Sequence, residues 1–393
     1  MTKITRLRRP LVAASTLALA AVALTACGGS DESSDSGPIK IALVAPLTGD
    51  AASYGIEAQK AIDLAVKQIN DDGGINGRDI EVDAFDDKCS PTDGATAANA
   101  VVSGGYAAVV GQVCSVAVQS SIPIYKRHEM PVIASAASSP DMANLDYEGF
   151  SRVIPADNLA VANAIKLTTK VLGYTRLGVL YPSDDYGQAL AKVVEDAADE
   201  YGAETVAMEA YTAGQTSDYS PLLANIAEAD PDAFFLGGYD SDMGAAVKQS
   251  TRAFNGESFP IVSNNNVQTQ NFIDLAGEAG EGTWIAPVYD PSKTTDGNPE
   301  FVELFEAEYG NEPNTLAAMG WDAIQVLKAA LEANDGKTEG LIDQIRKTSV
   351  TGVAGPIEFD ENGDNTAATA TVLQLTDGKW VLDPEKTAEL AEQ

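Results

Sequence analysis

Histidine occurs once in the 393 residues and cysteine three times. One histidine excludes metal motifs built on two and leaves any Ser-His-Asp triad dependent on His128. That residue sits in Tyr125-Lys126-Arg127-His128-Glu129, a charged helix end whose cations suit the C-terminal dipole, and no catalytic role is expected of it. Basic residues are also scarce, 25 Lys and Arg against 58 Asp and Glu, for a formal net charge of −33. Nucleic acid and anionic lipid surfaces are therefore not expected as partners, since both are bound through basic patches. The acidic balance serves solubility and says little about a ligand. No Gly-x-Ser-x-Gly elbow and no cluster of metal ligands occurs, so the expectation is a protein that is not an enzyme and uses no cofactor or metal. Long apolar runs are absent after residue 26, which excludes a membrane-spanning helix there.

The one such run lies at the start. Lys3, Arg6, Arg8 and Arg9 precede an uncharged stretch from Leu11 to Leu24, the layout of a cleavable export signal and too short to span a bilayer comfortably. Leu24-Thr25-Ala26-Cys27 then resembles the lipobox of bacterial lipoproteins. That resemblance implies removal of residues 1–26, a diacylglycerol on the Cys27 sulfur, and a mature chain held on the outer face of the bacterial cell membrane. Several acyl chains, at about 0.8 kcal/mol per buried CH₂, make a durable anchor. The alternative is an ordinary secretory signal in which Cys27 is incidental. Loss of residues 1–26, with four cations and no acid, moves the net charge to −37. Gly28 to Pro38 holds only Gly, Ser, Asp, Glu and the closing proline, so residues 27–38 read as lipid anchor and flexible tether.

After lipidation two cysteines remain. Their number and the exported location favour a Cys89–Cys114 disulfide closing a loop of 25 positions, with two buried free thiols as the alternative.

From Ile39 onward, short β-branched runs alternate with amphipathic stretches. Ile39 to Val44 is a buried strand, and Ile62, Ala65, Val66 and Ile69 follow at helical spacing. The unit repeats through strands at 80–84, 107–110 and 131–133 with helices at 92–102 and 116–127. A second series runs after Pro155, with strands at 177–181, 205–210, 233–236 and 260–262 and helices at 159–172, 189–201, 221–229 and 243–253. Such βαβ winding predicts an α/β fold of parallel sheets covered by helices, and two series predict two Rossmann-like lobes. Beyond Val288 the pattern is mainly helical at 301–309, 319–333 and 341–347, with strands at 356–359 and 370–375. The expected partition is residues 39–155 plus 288–361 in an N-terminal lobe and 156–287 plus 362–393 in a C-terminal lobe. Three crossovers near Pro155, Pro287 and Glu361 would form a hinge. Asp360-Glu361-Asn362-Gly363-Asp364-Asn365 has the flavour of a calcium loop, but glycine stands fourth rather than sixth and no glutamate is twelfth, so a turn is expected.

In open parallel sheets ligands bind beyond the carboxyl ends of strands, where helix N-termini present free N–H groups. Ser115 follows one such strand and offers a hydroxyl and a backbone N–H to an anion; it also suits an N-cap. Ala134-Ser135-Ala136-Ala137-Ser138-Ser139-Pro140 follows the next, where Ser138 could bond a carboxylate and the Ala136 carbonyl an ammonium, or the run could simply cap a turn. In the second series Asp242 is a candidate partner for a positive group, with Asp240 as competitor and N-capping open for both.

Taken together, Pro46-Leu47-Thr48-Gly49, Ser53-Tyr54-Gly55, Gly73-Gly74-Ile75-Asn76-Gly77, Asp86-Asp87-Lys88-Cys89, Val113-Cys114-Ser115, Asp185-Tyr186-Gly187 and Gly237-Gly238-Tyr239 through Met243-Gly244 resemble the periplasmic leucine/isoleucine/valine-binding proteins, from about Ile39 to Val381. The resemblance implies a type I periplasmic-binding-protein fold, a Cys89–Cys114 disulfide, and a monomer that captures an aliphatic, in particular branched-chain, amino acid and delivers it to the permease of an ABC importer. Residue by residue it implies that Ser115 and Ser138 bind the ligand carboxylate, Ala136 accepts from the ammonium, Tyr186 closes over the ligand, Asp242 pairs with the ammonium, and Tyr54 walls the side-chain pocket, with Leu316 near another wall position. The family often has Thr at the Ser138 position and Glu at the Asp242 position. A shorter Asp242 keeps other ligands open on the same fold, namely a short amide, a urea-like compound or an aromatic acid, and a ligand sensor remains the alternative role.

Overall fold

The computed structural model describes residues 37–254 and 259–393. Cys27, the leader and most of the tether lie outside the described residues.

The first sheet is built from β1 Ile39–Ala45, β2 Ile80–Asp86, β3 Ala108–Gly111, β4 Val132–Ala134 and β5 Phe150–Arg152, all parallel, in the order β2-β1-β3-β4-β5. Alternation along β1 explains why both faces are covered. Ile39, Ile41 and Leu43 enter one core with helices Ala52–Asp71 and Thr315–Ala333, whereas Ala42 and Val44 enter another with helices Pro91–Gly104 and Ser115–Arg127. Helix Pro91–Gly104 starts where the residues dictate: Pro91 takes the first helical position, the Ser90 hydroxyl accepts from Asp93 N–H, and Gly105 ends it in the left-handed region.

The second sheet repeats the plan with β6 Arg176–Pro182, β7 Glu204–Tyr211, β8 Ala233–Leu236, β9 Ile261–Ser263 and β10 Trp284–Ile285, again parallel. A short antiparallel pair, β11 Val350–Thr351 with β12 Pro356–Ile357, stands apart. The chain then adds β13 Leu373–Thr376 and β14 Lys379–Leu382 antiparallel at the β10 edge, giving β14-β13-β10-β9-β8-β6-β7. Leu177, Val179 and Phe235 pack on one face and Leu180, Phe234 and Leu236 on the other.

The protein is thus α/β with two Rossmann-like sheets, and the chain passes between them three times. The first passage follows Arg152 and enters helix Asp157–Lys166; the second leaves Ile285 for helix Asn298–Tyr309, whose Phe301 and Phe305 lie in the first core; the third leaves Asp364 for β13. Asp364 still pairs in parallel with Arg152, so this strand holds to the first sheet three residues beyond Glu361. Asp360 closes the preceding turn by accepting from Asn362 N–H and Asp364 N–H. Residues 356–359 form only the two-residue β12, and the helix expected through 172 ends as a π turn over Leu167–Val171, where Thr168 and Thr169 hydroxyls bond back to Ala164 and Ile165 carbonyls. Cys89 and Cys114 are joined by a disulfide. Among the described residues no helix is long and apolar enough to cross a membrane.

Candidate functional site

One local pattern occurs at the carboxyl end of the leading strand in each sheet. β1 runs into Pro46 and β6 ends at Pro182, and each is followed by a helix that opens on Tyr-Gly, Tyr54-Gly55 and Tyr186-Gly187. A Cβ on Gly55 would stand 1.9 Å from the Pro46 carbonyl oxygen, and one on Gly187 would stand 1.8 Å from that of Pro182. Glycine therefore lets each helix start settle onto the strand end, and the two neighbouring tyrosines are carried into the same cleft.

That cleft lies between the strand ends of the two sheets and spans about 310 Å³ of atom-free space, open solvent included. It brings together Tyr54, Ser115, Ala136, Ser138 and Tyr186, five of the six residues expected to meet a ligand, along with Leu316. Val113, Cys114, Tyr239 and Asn266 complete the lining. Asp242 does not line it. Its carboxylate accepts from Tyr219 Oη at 2.6 Å and from Gly214 N–H, behind the cleft wall. A larger open groove near His128, bordered by residues 142–149 and 338–343, lies at the amino ends of β4 and β5, the end of a parallel sheet where ligands do not bind.

Three tyrosines give the cleft an aromatic wall with polar tips. Tyr239 stands 6.4 Å from Tyr54 and 5.8 Å from Tyr186, ring centre to ring centre. Tyr54 Oη donates to Asn266 O at 3.2 Å and accepts from Asp240 N–H at 2.6 Å; Tyr239 Oη donates to Asp184 Oδ2 at 3.0 Å; Tyr186 Oη accepts from the side-chain amides of Asn264 and Asn266, both at 3.2 Å. Burial first, then nearby carboxylates, raises all three phenols well above the usual tyrosine range, so they are neutral hydrogen-bonding groups.

On the first-sheet side Ser115 opens helix Ser115–Arg127, with no acid in its first turn, and its Oγ accepts from Ser139 N–H at 3.1 Å. Arg152, fully buried, donates from Nη1 to the carbonyls of Ala137 and Ser139, fixing the backbone on both sides of Ser138. Among the described residues no Lys, Arg or His lines the cleft. Behind its hydroxyls stand Asp157 against Ser138, Asp184 against Tyr239 and Asp240 against Tyr54. Burial raises Asp240 and, to about 6, Asp157, where the Ser138 hydroxyl and Arg152 pull the other way.

Contacts between the two sides gather where helix Ala52–Asp71 meets helix Asp240–Ala253. Ser53 Oγ donates to Asp240 Oδ2 at 2.9 Å and Ser241 Oγ to Asp50 O at 3.4 Å, in addition to the Tyr54 bonds. Burial first, then the like charges of Asp50 and Asp240, raises Asp242 against the lowering bonds from Tyr219 and Gly214.

In the sequence Tyr239 belongs to the Gly237-Gly238-Tyr239 motif without a place in the pocket, and nothing there singles out Asn266 or Asp157. The signal for Tyr239 was present, a tyrosine between a strand-ending Gly237-Gly238 and a helix start; Asn266 sits in an irregular 3₁₀ turn with no pattern to read.

The pattern of the family described as periplasmic binding protein matches residues 38–379. The chain is 28% identical over 326 residues to the Leu/Ile/Val-binding protein of Escherichia coli (strain K12), covering 83% of this chain and 88% of that protein. A solved branched-chain amino acid transporter substrate-binding protein of Streptococcus pneumoniae, in complex with isoleucine, superposes with a TM-score of 0.80 at 25% identity, covering 88% of this chain and 100% of that one. A solute-binding protein of R. palustris in complex with benzoate has the same TM-score, 0.80, at 21% identity, with 88% and 95% covered.

Proposed function

The chain belongs to the periplasmic binding protein family, and from that premise we propose that it captures a branched-chain or other aliphatic amino acid in the cleft and delivers it to an ABC importer. Families of this kind consist of substrate-binding proteins and work outside the cytoplasm. The observation that carries the ligand class is the charge layout of the cleft, lined among the described residues by no cation and backed by the carboxylates of Asp157, Asp184 and Asp240. A ligand with an ammonium gains in that field, while a bare aromatic acid adds a further negative charge with no ammonium to offset it.

In this reading the ligand carboxylate meets the Ser115 hydroxyl and the N-terminus of its helix, where the dipole favours an anion. The ammonium faces the Ala136 carbonyl. Asp242 acts on it through its field, because its oxygens are engaged by Tyr219 and Gly214. Leu316, Val113 and the Tyr54 ring supply the apolar wall, and Tyr186 closes over the ligand from the other side. The moving bodies are residues 39–155 plus 288–361 and residues 156–287 plus 362–393, with the third boundary carried to Asp364 because it pairs with Arg152. Closure forms the Ser53–Asp240, Tyr54–Asp240 and Tyr54–Asn266 bonds, so a ligand that bridges the sides selects the closed state. The protein acts as a monomer held to the outer face of the membrane by a lipid on Cys27.

Equilibrium dialysis with labelled L-leucine tests the ligand. Retention that L-isoleucine and L-valine compete away, and benzoate does not, supports the reading; retention of benzoate alone refutes it. Release of the protein from the membrane fraction by Cys27→Ala is the expected result for the anchor.

A further inference from the structure

Across the seam the two bodies meet through hydroxyls, backbone and a side-chain amide. Ser53 Oγ donates to Asp240 Oδ2, Tyr54 Oη accepts from Asp240 N–H and donates to the Asn266 carbonyl, and Ser241 Oγ donates to the Asp50 carbonyl. Beside Leu316, Thr315 gives both its N–H and its hydroxyl to Gln268 Oε1. None of these bonds is an ion pair. The formal charge works against them. Residues 39–155 plus 288–361 hold 13 Lys and Arg against 30 Asp and Glu, and residues 156–287 plus 362–393 hold 8 against 25, so each body carries −17. Moving the third boundary past Asp364 changes each figure by one. Two bodies of like charge repel, and the repulsion is strongest where they come closest.

The rim of the seam shows the same relationship at close quarters. Asp50 is exposed on the loop after β1, and a Cβ on Gly214 would stand 2.3 Å from its Oδ2. Gly214 N–H in turn donates to the Asp242 carboxylate. One glycine therefore separates a carboxylate of the first body from one of the second, and Asp240 stands two residues before Asp242 on the same helix start. After burial, the charge of Asp50 adds to the upward shift of Asp242.

We infer that like charge on the two bodies opposes closure, so that the protein holds its ligand more tightly as ionic strength rises. The inference rests on the two-body, amino-acid reading above and deepens it by adding a control on closure. The Debye length falls from about 30 Å at 0.01 M salt to about 8 Å at 0.15 M, which screens exposed rim charges such as Asp50. Asp157 and Asp240, behind the cleft, are buried and act over short range, so salt weakens their hold on an ammonium much less. An amino acid as a whole carries no net charge. Screening therefore removes more repulsion than attraction, and the closed state gains.

The test measures L-leucine affinity by equilibrium dialysis from about 10 mM to about 500 mM sodium chloride, a range that takes the Debye length from about 30 Å to under 8 Å. Choline chloride at matched ionic strength runs in parallel. The proteins are wild type, Asp50→Asn, Asp50→Lys and Asp343→Asn, the last an exposed acid beside the groove at the opposite end of the first sheet. Wild-type affinity is expected to rise about threefold or more across the range, alike in both salts. Asp50→Asn is expected to bind about twofold more tightly than wild type at the lowest salt, the worth of one exposed charge contact, and to respond less to salt. Asp50→Lys goes further in the same direction, and Asp343→Asn follows wild type. Flat or falling wild-type affinity, or a salt response unchanged in both Asp50 variants, overturns the inference and leaves the amino-acid reading standing. A rise with sodium and none with choline also overturns it, because the effect then belongs to a bound cation rather than to screening. No leucine retained at any salt overturns both.

Discussion

Arg152 Nε donates to Asp364 Oδ1 at 2.7 Å across 212 positions of sequence, joining the start of the first passage between the sheets to the start of the third. The guanidinium has no exposed surface. The same residue fixes the loop that carries Ser138, so one buried cation serves both the hinge and the cleft. Asp364→Asn leaves that cation without its carboxylate, and removing one partner of a buried pair costs about 3–5 kcal/mol. Urea unfolding is expected to show a loss of that order with the slope unchanged.

The disulfide joins the loop after β2 to the residue that caps helix Ser115–Arg127, and Cys114 is itself part of the cleft wall. For a sequence separation of 25, the chain-entropy relation gives about 3.5 kcal/mol of stabilisation. Replacing both cysteines by alanine is expected to lower the unfolding free energy by about that amount and to weaken ligand binding. Full stability in the double variant contradicts this.

Gly55→Ala and Gly187→Ala each place a methyl group against a proline carbonyl oxygen at under 2 Å. Backbone on both sides leaves little room to yield, and overpacking of this kind costs about 1–3 kcal/mol or more. Because each glycine follows a cleft tyrosine, ligand affinity should fall together with stability. Thermal unfolding and titration on the same samples check the pair.

Asp87 is fully buried, and burial raises its carboxyl to about 7, with Asp86 and Asp93 adding to the shift and the Cys89 N–H opposing it. A group whose pKa is higher folded than unfolded stabilises fully below its unfolded value and loses that contribution as pH rises through the folded one. Stability should therefore decline from about pH 4 to about pH 7 on this account. Asp87→Asn keeps an oxygen for Cys89 N–H and removes the titration. It is expected to stabilise the protein at pH 8 by about 2 kcal/mol, a cautious share of the roughly 1.4 kcal/mol each pKa unit represents, and to change little at pH 4. Denaturant midpoints at the two pH values measure this.

Much of the architecture could be read from periodicity, because β1, β3, β6 and β8 are buried apolar runs that alternate with amphipathic helices. β5 and β14 could not. β5 is Phe-Ser-Arg, with a charged residue whose burial is explained only by Asp364 far along the chain, and β14 is a half-exposed edge strand. In the cleft, Ser115, Ala136 and Ser138 are legible because each follows a strand end, whereas Tyr54, Tyr186 and Leu316 come with the family resemblance. The orientation of Asp242 is not, since Tyr219 comes from a loop with no motif.

Calorimetric titration of the purified protein, refolded to strip any carried ligand, with L-leucine, L-isoleucine, L-valine, 4-methylpentanoate and benzoate tests the central claim most directly. The account predicts that the aliphatic amino acids bind and that the two acids lacking an ammonium do not. Benzoate binding with no heat from any amino acid would contradict it and give the cleft to a different class of ligand.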